Sequence, residues 1–226
     1  MGILERRMQE KEQRREDIIS AASHVFCTKG LESATMEDIA KHAELSKATL
    51  YLYFKNKEEL FLAVLLIVVD EFCNIIEASQ KAENTCTENL HAMGRAYVDF
   101  YLKFPDYLKM LNRLEPVDEV VFEKYEISYD LASGNNRIWE IVCKPIIEGI
   151  EVGVFKPDTN PIEIALSLWM SSIGTINLME RVSQSPHHNL AVQERPDCQV
   201  LLELKNLDFI KMMENMWNAI INHIMV

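Results

Sequence analysis

The sequence predicts an all-α fold: a small N-terminal helix-turn-helix unit of three helices over residues 1–60, then a larger helical body over residues 61–226. Three observations carry this. Seven glycines and seven prolines in 226 residues, against 48% hydrophobic residues, describe a chain with ample core and few turns. Apolar residues recur at helical spacing along most of its length. Near residue 44, two short helical patterns meet across a turn of about three to four residues, which is helix-turn-helix spacing.

The first helix is marked by Ile18, Ile19, Ala22, Val25 and Phe26 at i, i+1, i+4, i+7 and i+8, with Gly30 placed to end it as the residue after the cap. Upstream, Arg6, Arg7, Lys11, Arg14 and Arg15 interleave with Glu5, Glu10, Glu12 and Glu16. That run reads equally as a solvated extension of the helix or as a flexible basic arm. Thr35 is an N-cap for the second helix, MEDIAKHA, with Asp38 at the third position in an approximate capping box; Ile39, Ala40 and Ala43 form its buried face. Only Glu44 and Leu45 separate it from Ser46, the next N-cap.

The stretch Leu50-Tyr51-Leu52-Tyr53-Phe54 has the composition and period of a β-strand. Nothing else in the first 80 residues reads as β, so a strand here would have no partner. A helix over Lys47–Phe54 is therefore expected, with Leu50 and Phe54 turned toward Ile39 and Phe26. Ala48, Thr49 and Leu52 then face away, and Tyr51 and Tyr53 lie on the flanks. Asn56 caps a long helix with Glu59 at its third position, and this helix carries the apolar run Leu60–Val69. Lys57, at its first position, puts a cation at the positive end of a helix dipole, a cost of about 0.3–1 kcal/mol. On that argument Lys57→Gln leaves stability unchanged or slightly higher, and a phosphate is the natural reason for the lysine.

In the body, Leu90, Met93, Ala96, Tyr97, Phe100, Tyr101 and Phe104 form a broad apolar face from Thr85 or Thr87 to Pro105. A short segment runs through Leu114. A long helix follows from about Asp118 to Glu151, weakened near Ser133-Gly134-Asn135. Asn160 and Pro161 start another, to about Val182. The loop SQSPHHNLAVQERPD leads to a last helix, about Asp208 to Met225. Leu166, Trp169, Met170, Ile173 and Ile176 make a stripe on the first of this pair. Phe209, Met212, Met213, Met216, Trp217, Ile220, Ile221 and Ile224 make a second stripe on the last helix.

The net charge is −12, but it is uneven: residues 1–60 hold 10 Lys/Arg and 11 Asp/Glu, leaving 13 and 24 for the rest. Within residues 41–57, Lys41, Lys47, Lys55 and Lys57 against Glu44 alone make a small positive patch on an acidic body. No secretory signal is visible, and the longest apolar run, Leu60–Val69, is half of the roughly 20 residues a membrane span needs. Five scattered cysteines without a C-x-x-C pair suit reduced thiols in a cytoplasm. Catalytic and metal signatures are missing: Glu88-x-x-His91 is a lone E-x-x-H, there is no H-E-x-x-H, G-x-S-x-G, P-loop or G-x-G-x-x-G, and His187 and His188 sit in a polar loop. No cofactor and no metal is expected. The rival readings are a helical-bundle enzyme or metalloprotein, and a partner-binding helical protein without DNA binding.

The segment T-x-x-x-I-A from Thr35, S-K-A-T-L-Y-x-Y-F from Ser46 and K-N-K-E-E-L from Lys55 resembles the DNA-binding domain of the TetR family of transcriptional regulators, over about residues 12–62. The resemblance implies a non-enzymatic, cytoplasmic regulator, most simply a repressor, that binds a palindromic double-stranded operator as a homodimer and is released by a small apolar or aromatic effector. It implies phosphate contacts by Thr35, Tyr53 and Lys57. Ser46, Lys47, Ala48, Thr49, Tyr51 and Leu52 stand at positions facing the groove, with Lys47 the candidate for reading guanine. Met93, Tyr97, Phe100, Tyr101, Phe104, Met110, Trp139 and Trp169 are the candidates to line an effector pocket, with His91, Arg95 and Asn177 as possible polar contacts. Leu166, Met170, Ile173, Phe209, Met213, Met216, Trp217 and Ile220 are the candidates for a dimer interface built as a four-helix bundle. No membrane partner is expected.

Overall fold

The computed structural model describes residues 2–112, 127–184 and 207–226. Its helices are α1 (Ile3–Ser33), α2 (Met36–His42), α3 (Lys47–Tyr51), α4 (Lys57–Ser79), α5 (Cys86–Lys103), α6 (Pro105–Asn112), α7 (Ile127–Glu151), α8 (Pro161–Gln184) and α9 (Phe209–Ile224). The described residues contain no strand, only an isolated antiparallel bridge between Phe155 and Met225. Residues 118–126 of the long expected helix, Leu114, and most of the expected 183–197 loop with His187 and His188 lie outside the described residues. The chain is all-α, as expected. Contacts gather it into two units, Met1–Asn74 with Phe100–Ile138 and Ile75–Asp99 with Trp139–Val226.

In the first unit, α1 begins at Ile3, so the basic run is helix and not a flexible arm. Its helical geometry breaks at Gly30, whose φ of 76° and ψ of 160° are open to glycine alone among common residues. Ile18, Ala22, Val25 and Phe26 are buried, and Phe26 meets Phe61 edge to face at 5.3 Å. The expected weakness at Gly134 is absent, since α7 runs through it. The glycine is there for packing: a Cβ would lie 2.7 Å from Cγ1 of Val69, and the Cys73 thiol reaches the Gly134 carbonyl at 3.9 Å. Phe72, Phe100, Phe104 and Tyr107 form a continuous aromatic chain with centroid separations of 5.2, 5.5 and 5.4 Å, tied to α1 where the Ser23 hydroxyl bonds Tyr107 at 3.1 Å.

In the second unit, α7 tolerates Pro145 in its interior because the carbonyl left without its helical donor, that of Ile141, accepts from the Gln80 side chain at 3.3 Å. Trp217 of α9 lies over Gly94 of α5, where a Cβ would stand 2.9 Å from its ring, and its indole N–H donates to Ser172 of α8 at 2.9 Å. The end of α9 is tied down as well. The Lys156 N–H donates to the Ile224 carbonyl at 2.8 Å, its ammonium to the His223 carbonyl at 2.5 Å, and the Val226 N–H to the Val154 carbonyl at 3.2 Å. Next to this clasp, fully buried Phe155 presses on Gly149, where a Cβ would fall 2.2 Å from its ring.

Alanine has the better helix propensity by about 1 kcal/mol, yet Gly149→Ala is expected to destabilise by about 1–3 kcal/mol, because the methyl overlaps a ring that cannot withdraw. Thermal unfolding checks it: an unchanged or raised Tm contradicts the close packing of Phe155.

Candidate nucleic-acid interface

The interface candidate is built from α2, α3 and the turns around them. At the start of α2 the capping box is complete. The Asp38 N–H donates to Thr35 Oγ1 at 3.2 Å, and the Thr35 N–H and hydroxyl donate to Asp38 Oδ2 at 3.2 and 2.8 Å. Lys29 bonds the other oxygen at 2.6 Å, and that bond, followed by those from Thr35, holds the Asp38 carboxyl below the ordinary carboxylate range. Thr35 is exposed, with its hydroxyl engaged in the box.

The turn from α2 to α3 is a Schellman motif: Leu45 N–H bonds the Ala40 carbonyl at 2.9 Å and Glu44 N–H the Lys41 carbonyl at 3.3 Å. Glu44 takes the left-handed position, φ 55°, and is the sole non-glycine with positive φ among the described residues. Ser46 then caps α3 by accepting from the Thr49 N–H at 3.0 Å.

α3 is shorter than expected. It ends at Tyr51, and the N–H groups of Tyr53 and Phe54 both return to the Leu50 carbonyl in a closing turn, at 3.0 and 3.1 Å. Leu50 and Phe54 are nonetheless buried, in the same unit as buried Ile39 and Phe26. Facing outward are Lys47 and Ala48, with Tyr51 46% and Leu52 81% exposed, while Thr49 and Tyr53 are half-buried. Lys47 lies 3.8 Å from Glu37 across the turn, an exposed pair of little energetic weight. The Arg15 guanidinium sits over the Phe54 ring at 5.4 Å from its centroid.

α4 starts as expected, with Asn56 Oδ1 accepting from the Glu59 N–H at 2.9 Å and the Glu59 carboxylate accepting from the Lys55 N–H at 2.6 Å. The stability argument for Lys57 is overturned. Its ammonium donates to the carbonyls of Leu31, Glu32 and Ala34 at 2.9, 3.1 and 3.4 Å, capping the negative end of α1. The sequence pattern around Lys57 shows only its own helix; the carbonyls it serves lie 23 to 26 residues away.

Of the effector candidates, Met93, Tyr97, Phe100 and Met110 are buried, Tyr101, Phe104 and Trp139 half-buried, and Trp169 exposed. Phe100, Tyr101, Phe104 and Met110 belong to the first unit, and Met93, Tyr97, Trp139 and Trp169 to the second. Trp139 and Trp169 meet edge to face at 6.1 Å. Burial, then the nearby Arg95, holds the His91 imidazole below its usual value, against a smaller opposing pull from Glu214. Among the interface candidates, Phe209, Met213 and Trp217 are buried within the single chain, Leu166, Ile173 and Ile220 are half-buried, and Met216 and Met170 are exposed, Met170 at 65%. Among the described helices α8 alone is long and apolar enough to cross a membrane, at mean hydropathy 1.3 over Pro161–Ser183. No group of three or more His, Cys, Asp or Glu placed to hold a metal occurs among the described residues.

Two substitutions test this local architecture. Glu44→Gly removes a left-handed side chain and should raise stability by about 1 kcal/mol by denaturant unfolding; a loss would mean the Glu44 side chain makes a contact worth more than the strain. Lys57→Gln should lower stability by about 1 kcal/mol or more, since three carbonyls lose a charged donor; a gain would mean the dipole cost at α4 prevails.

Residues 18–64 match the family described as Bacterial regulatory proteins, tetR family. The HTH-type transcriptional activator FasR of Mycolicibacterium smegmatis is 40% identical over 93 residues, 40% of this chain and 41% of FasR. The Fatty acid metabolism regulator protein of Bacillus subtilis is 32% identical over 83 residues, 37% of this chain and 43% of that protein. The matched stretches thus span less than half of either relative. In fold, the chain is similar to the transcriptional regulator FadR from Bacillus subtilis in complex with stearoyl-CoA, with TM-score 0.65 at 18% identity over 91% of this chain and 97% of that one. Taken with the capped helix-turn-helix and its exposed α3 face, these matches mean that residues 18–64 form a domain of the tetR family.

Proposed function

We propose that this chain is a ligand-responsive transcriptional regulator and no enzyme, with a DNA-binding domain at 1–60 and an effector-binding and dimerisation domain at 61–226. The observation that carries the reading is the outward face of α3. Its inward residues Leu50 and Phe54 are buried, while Lys47, Ala48, Tyr51 and the 81% exposed Leu52 project from a helix locked at both ends. A five-residue helix held this firmly, with large apolar groups in solvent, suits a surface outside the protein.

In this reading Lys47 reads a base edge, Ala48 and Leu52 offer methyl contacts in the major groove, and Ser46, Thr49 and Tyr51 lie along the adjacent backbone. Tyr53 binds a phosphate through its hydroxyl, and Thr35 and Lys57 bind phosphates by giving up a hydrogen bond of the capping box and one of the α1 carbonyls, respectively. A homodimer presents two such helices to a palindrome, and the regulator represses by occupying it. The exposed apolar face of α8, with Met170 at 65%, and Met216 of α9 suit a second copy better than a membrane, because half-buried Leu166, Ile173 and Ile220 extend the same stripes. Effector binding by some of Met93, Tyr97, Phe100, Tyr101, Phe104, Met110, Trp139 and Trp169 shifts α4, which begins at Lys57, and so changes the spacing of the two α3 helices. Acyl-CoA thioesters are the first effectors to test, since FadR holds stearoyl-CoA.

The test is a gel shift on the DNA upstream of the gene with random duplex as competitor. Lys47→Gln should cost about 1–3 kcal/mol on the preferred duplex and much less on random DNA. No preference for any duplex over random DNA sinks the regulator reading. For assembly, Met170→Glu should give a folded monomer by sedimentation at micromolar concentration; an intact dimer would remove α8 from the interface. Deleting α9 is a poorer test, because Phe209, Met213 and Trp217 are core.

A further inference from the structure

The exposed half of α1 carries a charge pattern that the helix-turn-helix does not use. Arg7, Lys11, Arg14 and Arg15 stand at i, i+4, i+7 and i+8, and the same phase runs unbroken into Ile18, Ala22, Val25 and Phe26, which are buried. At 3.6 residues per turn all eight share one side of the helix. The stripe therefore lies on the side of α1 that the rest of the domain packs against, extended beyond the domain's core. Glu5 and Glu16 stand on a separate strip with Glu12, which reaches across to Arg15 at 3.8 Å, and Glu10 is taken by Arg6 at 2.9 Å.

The stripe's inner end touches the helix-turn-helix: Arg15 lies over Phe54, the residue that closes the turn after α3, 5.4 Å from its centroid. Arg7, Lys11 and Arg14 are exposed and have no ion pair among the described residues. Cations at i, i+3 and i+4 repel each other, so the isolated helix gains nothing from placing them together. From Arg7 to Arg15 the stripe covers about 12 Å of helix axis, comparable with three to four base-pair rises of DNA.

We propose that this stripe is a second DNA-contact surface, which binds the phosphodiester backbone flanking the site read by α3 without regard to sequence. The partner follows from charge and continuity. A row of cations joined through Arg15 to the base-reading segment matches a polyanion running past that segment, whereas the body beyond residue 60, with 13 Lys/Arg against 24 Asp/Glu, repels one. The inference rests on the DNA-binding reading above.

The test uses the full chain, anisotropy on a random-sequence duplex of about 40 base pairs, and the slope of log K against log salt. Replacing Arg7, Lys11 and Arg14 together by Gln should flatten the slope by about 0.9 per lost contact, roughly 2.7 per subunit, and weaken all sequences alike. Lys11→Gln alone should flatten it by about 0.9 per subunit, which keeps the test open if the triple variant melts. Replacing Glu5, Glu16 and Glu151, which are exposed and pair with none of the stripe's cations, by Gln alters net charge by the same amount and should leave the slope in place. An unchanged slope in the triple variant, while Lys47→Gln still alters operator preference, overturns the proposal alone. Equal and opposite changes in the two triple variants overturn it in favour of overall charge. Loss of self-association with an unchanged slope overturns it in favour of the acidic body of a second copy. A wild-type chain that binds no duplex overturns this proposal and the DNA-binding reading together.

Discussion

The burial of Leu50 and Phe54 is the interaction on which the interface candidate depends. A helix of five residues cannot hold itself, since nucleation costs more than one or two internal hydrogen bonds return. α3 exists because two large side chains four apart are removed from water, while the Ser46 hydroxyl accepts from the Thr49 N–H and the Glu44 turn delivers the helix at one angle. With Leu50 and Phe54 committed inward, the direction of Lys47, Ala48, Tyr51 and Leu52 is no longer a choice. Arg15 covers the outer side of Phe54, so the same ring that anchors α3 also seats the base of the α1 extension.

Lys57 shows how one residue couples neighbouring elements. As the first residue of α4 it would be an expense; as the cap of α1 it satisfies three carbonyls left over where Gly30 breaks the helix. The starts of two helices and the end of a third thus depend on one another: Thr35 and Asp38 open α2, Lys29 of α1 clamps Asp38, and Lys57 ties α4 to α1. The start of α4 is thus held to the end of α1, and α1 in turn to the start of α2.

In the second unit small residues set the distances between helices. Gly94 admits the Trp217 ring and Gly149 admits Phe155, and Ser172 receives the indole proton that would otherwise be buried unpaired. These contacts divide the two apolar stripes that look alike in sequence. Phe209, Met213 and Trp217 are spent inside the chain, and Met170, Trp169 and Met216 remain outside.

Local rules determined much of this protein from sequence alone: the all-α fold, the helix starts at Thr35, Ser46, Asn56 and Asn160, and the inward pair Leu50 and Phe54 all depend on residues within about four positions of each other. The motif from Thr35 to Leu60 was equally legible, because the helix-turn-helix is contiguous in the chain. Other features were decided by partners distant in sequence. Gly134 looked like a weak point in α7 and proved to be the contact with Val69; Pro145 is tolerated because of Gln80; Lys57 serves carbonyls on α1; and Trp217 finds Ser172 forty-five residues away. Periodicity tells which side chains leave water, but not whether a helix of the same chain or another molecule covers them, because both remove the same apolar area. Only tertiary structure makes that distinction, and it placed Trp217 in the core and left Met170 in solvent.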